Sequence, residues 1–578
     1  MSPRTKYETQ DDSADGNDLP LDDNFVEQAE YISEDIFLSL NAYHPDQDSI
    51  IQKLSGGGAK LLVGPRGCGK TTSMLTAYHT MRQDRARKAF ALYVNFKLSL
   101  KLEPLYIKTP NAGFWFRTWL NLKIIESIIK NLPIEEDIVL PASFPVKTEV
   151  ERLIASIESG NIENSTNAEK FTTSQLCTII EEFLEENSFN RCVLLLDDAA
   201  HAFSPRQQED FFEFFREVKT RKISPKAAIY PGITNHSPSF HVGHDAEQID
   251  VWVKPNKTEY LDFMFSLAEK RFNGELPTFL ARDREAIDFL AFASFGIPRS
   301  FLNMLRTIYH ESQSQTSTIV DRRQLMEVAK QSRELSHNVY DALRYKLPTY
   351  RSFVDAGNTI YDKIISVIKT FNRVRPDDDQ ALEVGLRRPI DTGLAKVVSL
   401  LQYSGLLMPA GENRRGEQGT FDIFMVHFGD LIVENAIIGR KVKSVPQFLK
   451  ALTAQTHQAW PRLSSDPLIT STLTRDKFVL SLPNCQSCGA ERANEHAKFC
   501  ANCGSQLTTS SLYHELTSQG IEVLNLSEST ILRIKKHSKI RTIRDILIDT
   551  DRKELRGIPY IGPVRAARIA TLAEEHVA

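Results

Sequence analysis

No run of eighteen apolar residues occurs in the 578-residue sequence, and its start lacks a basic stretch followed by an apolar core and a cleavage site. From these absences the expectation is a soluble, cytoplasmic protein with no helical membrane span, no ordinary export signal and no membrane partner. Cysteine is also scarce. The seven divide into Cys68, Cys177 and Cys192, far apart, and a late group of Cys485, Cys488, Cys500 and Cys503. That distribution argues against a disulfide framework and for a reducing compartment with one metal site. A charge excess of one sign is missing too: the formal net charge is -4. Any contact with nucleic acid must therefore come from local basic patches.

What the sequence has in quantity is length, enough for about three to five domains. Residues 1–25, with "DDSADGNDLPLDDN", are acidic, polar and poor in aliphatics, and are expected to remain disordered. Beyond them, strand-like and helix-like runs alternate: "AKLLVG", a helix from Thr71, "FALYVNF", helical stretches around 113–131 and 170–187, "RCVLLLDD", the helix "QQEDFFEFFREVK", and "KAAIYPGI". This alternation predicts an α/β fold with a parallel sheet covered by helices on both faces.

The first of these strands runs into Gly64-Pro65-Arg66-Gly67-Cys68-Gly69-Lys70-Thr71-Thr72, which contains the full phosphate-loop spacing. Glycines let successive N–H groups turn toward phosphate oxygens at the positive end of the following helix. Lys70 is expected to reach the outer phosphates of ATP, and the Thr71 hydroxyl to hold Mg²⁺. A second marker is "CVLLLDD", where apolar Val193 to Leu196 lead straight into Asp197 and Asp198. A carboxylate at the carboxyl end of a buried parallel strand lies where the loop delivers its ligand. Asp197 then organises Mg²⁺ and Asp198 polarises the attacking water.

These two motifs, together with "AIYPGITNH" and "FGIPRSFLNML", resemble the AAA+ P-loop ATPases, especially the initiator-like branch related to origin recognition proteins. The resemblance covers roughly residues 30–345. It implies an ATPase core, a helical lid whose Arg299 acts as the sensor-2 arginine, and a polar residue closing the fourth core strand as sensor 1. Asn235 matches that position, with Thr234 second, and Asn95 lies where relatives restrain the catalytic acid. Arg216 and Arg221 are the candidates for a trans-acting arginine. One departure is informative: many relatives carry glutamate where this chain has Asp198, and the shorter side chain implies slow hydrolysis, or binding without much hydrolysis.

After the lid, "GLAKVVSLLQYSGLLMPAG" reads as helical and "ENRRGEQGTFDIFMVHF" as a basic turn and strand, together suggesting a winged-helix-like unit. Arg387, Arg388, Arg414 and Arg415 are its candidate phosphate contacts, with solvated loop charge as the alternative. The stretch "CQSCGAERANEHAKFCANCG" places two Cys-x-x-Cys pairs around a short polar hairpin, the pattern of a zinc ribbon. Four thiolates leave no open position, so the Zn²⁺ held by Cys485, Cys488, Cys500 and Cys503 is expected to be structural.

The last segment, through "VLNLSESTILRIKKHSKIRTIRDIL" and "LRGIPYIGPVRAARIATL", resembles the carboxyl-terminal domain of the RNA polymerase alpha subunit and wider helix-hairpin-helix modules. That resemblance implies phosphate contact near Gly562, Arg565 and Arg568. Two positions depart from it, Tyr560 where many hairpins have glycine and Ser529 where the polymerase domain has a basic residue. Arg533, Lys535, Lys536, Lys539, Arg541 and Arg544 can replace the missing charge, and a protein-docking role stays open beside DNA contact.

The expected organisation is a tail at 1–25, an ATPase core at 26–260, a lid at 261–345, a winged-helix-like domain at 346–455, a linker at 456–482, a zinc ribbon at 483–507 and a helix-hairpin-helix domain at 512–578. The expected function couples ATP binding and hydrolysis to nucleic-acid binding, DNA favoured, with homo-oligomers possible, in replication, repair, mobile elements or phage defence. The alternative is a slow ATP-dependent assembly switch whose carboxyl-terminal modules recruit proteins.

Overall fold

The computed structural model describes residues 29–577 except 33, 85–87, 98, 110, 132–137, 163–166, 199–203, 273, 275, 314–319, 439–443, 455–458, 473–477, 479, 483, 486, 493–496, 498, 506 and 508–510. The acidic tail and part of the proposed linker lie outside the described residues. The chain divides into two compact units, one reaching to Leu512 and one spanning Tyr513–Val577.

In the larger unit, strands β1 (Lys60–Val63), β2 (Ala89–Asn95), β3 (Arg191–Asp197), β4 (Ile223–Ile229) and β5 (Glu247–Asp250) form one sheet in the order β2-β3-β4-β1-β5. Every pairing in it is parallel. The reason is visible in β3, which is buried from Cys192 through Asp197. A strand covered on both faces needs a continuous apolar run, not an alternating one. Helices supply the cover: Lys70–Gln83 follows β1, Ala112–Asn131 and Thr173–Glu186 lie between β2 and β3, and Pro205–Glu217 joins β3 to β4. On that last helix Phe211, Phe212, Phe214 and Phe215 are all fully buried, so the aromatic run in "DFFEFF" anchors it to the sheet. The α/β class read from the sequence therefore holds. The short strand β5, exposed at three of its four residues, carries too little apolar signal to be read in advance.

The helices Tyr260–Arg271, Arg284–Ala293, Pro298–Gln313 and Arg322–Lys346 follow. A long helix, Arg351–Asn372, leads to a second sheet in the order β7-β8-β6-β9, built from β6 (Glu383–Arg387), β7 (Leu407–Arg414), β8 (Thr420–Val426) and β9 (Arg462–Leu463). Between β6 and β7 runs the helix Thr392–Tyr403, capped by Asp391, whose carboxylate accepts from the N–H groups of Gly393 and Leu394. The stretch read as helical through Gly411 stops early. Gly405 takes φ 80°, a left-handed turn that suits glycine, and Leu407 onward pairs with β8.

A buried carboxylate ties this region to the helices before it. Asp430, on the helix Phe428–Val433, is 1% exposed and accepts from Arg333 Nε, from His337 Nε2 at 2.9 Å and from Tyr361 Oη at 2.8 Å. Burial alone would push its carboxyl up, but hydrogen bonds from His337 and His427 outweigh that and hold it well below the usual carboxylate range.

The smaller unit is all helical. Glu528–His537, Ile543–Ile548, Lys553–Arg556 and Pro563–Val577 enclose Ile534, Ile540, Ile543, Leu555, Ile558, Ile561, Ala566 and Ile569.

Candidate nucleotide site and metal centre

The phosphate loop leaves β1 at Val63 and enters the helix Lys70–Gln83, whose first turn closes with Ser73 N–H donating to the Gly69 carbonyl at 2.9 Å. Lys70 is 5% exposed, and its ammonium donates to the carbonyls of Gly64 and Pro65 at 2.8 Å each. Burial pulls the Lys70 ammonium below its ordinary range, opposed by Cys68, Asp198 and Asp197. Cys68 is buried as well, and burial pushes its thiol up, which makes it a packing residue and a poor nucleophile. Thr72 offers its carbonyl to the Thr76 hydroxyl within the helix.

Asp197 ends β3 beside the loop and is 1% exposed. Its carboxyl is hydrogen-bonded to the Thr71 side chain and accepts from Tyr93 Oη at 2.9 Å. Burial, then the neighbouring charge of Asp198, pushes Asp197 above the usual carboxylate range. A bound dication relieves that strain, and a threonine hydroxyl beside a carboxylate is an all-oxygen donor set of the kind Mg²⁺ takes. The residues present therefore fit the expected metal. Asp198 turns away from the strand at φ 55° and accepts from Tyr230 Oη at 3.0 Å.

Arg299 reaches the loop through its backbone: its N–H donates to the Gly67 carbonyl at 3.4 Å, and the helix Pro298–Gln313 begins there. Asn95 ends β2 in direct register with Asp197, but its amide donates to Glu30. The hydroxyl on Asp197 comes instead from Tyr93, two residues earlier on the same strand face.

Asn235 is a correction. It does not close β4, which stops at Ile229 because Pro231 and Gly232 form a turn that leaves the ladder. Asn235 lies beyond that turn, with its backbone N–H and its Nδ2 both donating to Gln208 Oε1 at 2.8 Å. Thr234 accepts from Tyr230 N–H inside the turn. The polar group at the strand end is Tyr230. Its position directly after "KAAI" and before Pro-Gly is the signal that locates it in the sequence.

The four late cysteines converge. Their ligand atoms lie within 4.8 Å of one another, with 3.6 Å between Cys485 Sγ and Cys503 Sγ and the same between Cys488 Sγ and Cys500 Sγ. Thiolates 2.3 Å from a tetrahedral zinc stand about 3.8 Å apart, so the set fits Zn²⁺. The two halves are built alike. Cys485 N–H donates to Ala490 and Gly489 N–H returns to Cys485, while Cys500 N–H donates to Ser505 and Gly504 N–H returns to Cys500.

The arginines of the second sheet are not equivalent. Arg388 is committed to Asp422, with Nε 3.0 Å from both carboxylate oxygens, and to Glu412 at 2.9 Å. Arg387, Arg414 and Arg415 are exposed. Arg462, which the sequence did not single out, joins Arg415 over the Trp460 ring, at 5.8 and 5.6 Å. In the smaller unit Tyr560 takes φ 66°, the conformation that glycine favours, and is 80% exposed. Arg565 Nη1 donates to the Tyr560 carbonyl at 3.1 Å, and Arg533 lies 5.4 Å from the Tyr560 ring.

No family model matches the chain, and no curated protein matches it. Among solved structures it is similar to Cdc6p from Pyrobaculum aerophilum, at 14% identity and TM-score 0.30, over 72% of this chain and 97% of that one. It is also similar to the ORC2 protein of Aeropyrum pernix, described in ADPNP and ADP complexes, at 10% identity and TM-score 0.34, over 71% of this chain and 93% of that one. Among the described residues no helix is long and apolar enough to cross a membrane.

Proposed function

We propose that the protein is an ATP-binding and slowly ATP-hydrolysing AAA+ protein of the initiator-like branch, whose nucleotide state governs engagement of nucleic acid, DNA foremost. The observation that carries this reading is the convergence of Lys70, Thr71, Asp197 and Asp198 on one phosphate loop, with Arg299 tied by its backbone to Gly67. In this reading Thr71 and Asp197 hold Mg²⁺, and the metal neutralises charge on the phosphates. Lys70 and Arg299 recognise the outer phosphates, and Asp198 orients the attacking water. Loss of the outer phosphate removes a charge-assisted contact to Arg299, and this lets the helices after β5 respond to hydrolysis.

The output side rests on local basic patches. Arg387, Arg414, Arg415 and Arg462 in the second sheet, and Arg533, Arg565 and Arg568 in the smaller unit, are suited to a phosphate backbone. Structural Zn²⁺ on the four cysteines supplies the folding energy of a module too small for an apolar core. A second reading, recruitment of protein partners, is favoured by the exposure of Tyr560 and Leu532, at 80% and 66%.

The test is ATP turnover by the full chain, alone and with duplex DNA, single-stranded DNA or RNA, with Lys70→Ala as blank. Stimulation by DNA is the expected result. Turnover above the blank that no polymer changes would favour the protein-recruiting switch.

A further inference from the structure

The helix Thr392–Tyr403 ends on the phosphate loop. Arg66 N–H donates to the Tyr403 carbonyl at 3.4 Å, and Lys396 Nζ donates to the Gly232 carbonyl at 2.7 Å. Between these bonds Gly232, at φ 74°, comes so close to the helix that an added β-carbon would lie 2.5 Å from the Ser399 backbone. Only glycine admits that approach. The Tyr403 ring meets the Tyr230 ring edge-on at 5.8 Å.

Tyr230 is where this contact reaches the nucleotide site. Lys70 Nζ stands 3.7 Å from the centre of its ring, and its hydroxyl donates to Asp198. A phosphate in the loop takes backbone N–H groups and the lysine ammonium. Here Arg66 N–H is engaged by Tyr403, and the ammonium by two loop carbonyls and the Tyr230 ring. A triphosphate that recruits these donors has to break those contacts.

We propose that Tyr230 links phosphate occupancy of the loop to the seating of the helix Thr392–Tyr403, so that ATP binding and release of this helix are one equilibrium. The inference rests on the loop being an ATP site. Two consequences follow from linkage. Seating lowers the apparent affinity for ATP by the fraction of molecules in which the helix is released. Conversely, any ligand of the second-sheet region that holds the helix away strengthens ATP binding by the same factor.

The experiment uses the full chain with Mg²⁺ and adenosine 5′-(β,γ-imido)triphosphate, reading affinity by calorimetry and amide hydrogen exchange across residues 396–406. Expected in the wild type is faster exchange in 396–406 on adding the analogue. Lys396→Ala, which removes the bond to Gly232 and the contact with the Tyr350 ring, should exchange faster there without nucleotide and bind the analogue about threefold or more tightly, the scale of one lost hydrogen bond. Lys396→Arg, which keeps a donor, should restore wild-type behaviour. Tyr230→Ala, which leaves only the Arg66–Tyr403 bond between loop and helix, should show a smaller response of 396–406 to the analogue than the wild type, whereas Tyr230→Phe should keep most of it through the ring.

A wild type that binds the analogue with no change in 396–406, or a folded Lys396→Ala with unchanged affinity, would overturn the inference and leave the ATP site standing. A wild type that binds no analogue would overturn both.

Discussion

The hydroxyl of Tyr93 donates to Oδ2 of Asp197 at 2.9 Å, across neighbouring parallel strands, and so fixes one oxygen of a carboxylate that is almost wholly buried. With the Thr71 side chain also hydrogen-bonded to that carboxylate, Asp197 is held in one orientation toward the loop. Tyr93→Phe removes this donor without removing the ring. The expected outcome is a roughly tenfold loss of Mg²⁺-dependent turnover, about 1.4 kcal/mol, with a higher Mg²⁺ requirement and unchanged thermal stability to within ~1 kcal/mol. Turnover measured against Mg²⁺ concentration checks it.

Arg299 is placed by its N–H bond to Gly67, and its expected role concerns the outermost phosphate alone. Arg299→Ala should therefore weaken ATP much more than ADP, lowering the ratio of the two affinities by about tenfold or more, since a charge-assisted bond contributes roughly 1.5–3 kcal/mol. Calorimetric titration with each nucleotide gives the ratio directly.

The sequence carried the parts of this site that lie on single elements. The phosphate loop, the apolar run ending in Asp197 and the two Cys-x-x-Cys pairs were each legible because the chemistry depends on spacing along one stretch of chain. Contacts between elements were not. Tyr93 acts on Asp197, and Tyr230 on Asp198, only through the sheet order β2-β3-β4, which no local pattern encodes. Asn235 was misplaced for a related reason. "AIYPGITN" reads as a continuing apolar stretch until Pro231 and Gly232 are taken as the turn that ends β4. Likewise "QYSGLLMP" keeps a helical apolar content beyond Tyr403, and the change to strand depends on pairing with β8.

Asp430 holds together Arg333, His337 and Tyr361 from two earlier helices. Asp430→Asn should lower stability by about 1.5–3 kcal/mol at pH 7, because it removes the buried charge on which the hydrogen bonds from Arg333, His337 and Tyr361 converge, while Glu434 still pairs with Arg333 at 2.8 Å. The sign with pH follows from the depressed carboxyl. Its contribution is complete above the unfolded value near ~4 and is lost as pH falls below it toward the folded value. The gap between wild type and variant in urea unfolding should therefore narrow below about pH 4.

The four-cysteine set should retain one zinc per chain through purification. Chelation should unfold the segment around 485–505 and leave the ATP site intact, because zinc supplies folding energy of about 10–16 kcal/mol in modules of this size. Cys500→Ser should reproduce the effect. Elemental analysis, followed by limited proteolysis with and without chelator, checks both statements.

The central claim is that the loop from Gly64 to Thr72 binds ATP with Mg²⁺ held at Thr71 and Asp197. Equilibrium titration of the full chain with Mg²⁺ and ATP, beside Lys70→Ala, tests it most directly. One saturable site per wild-type chain is expected, with at least a tenfold loss of affinity in the variant. Equal affinity in a folded Lys70→Ala, or no saturable binding in the wild type, would contradict it.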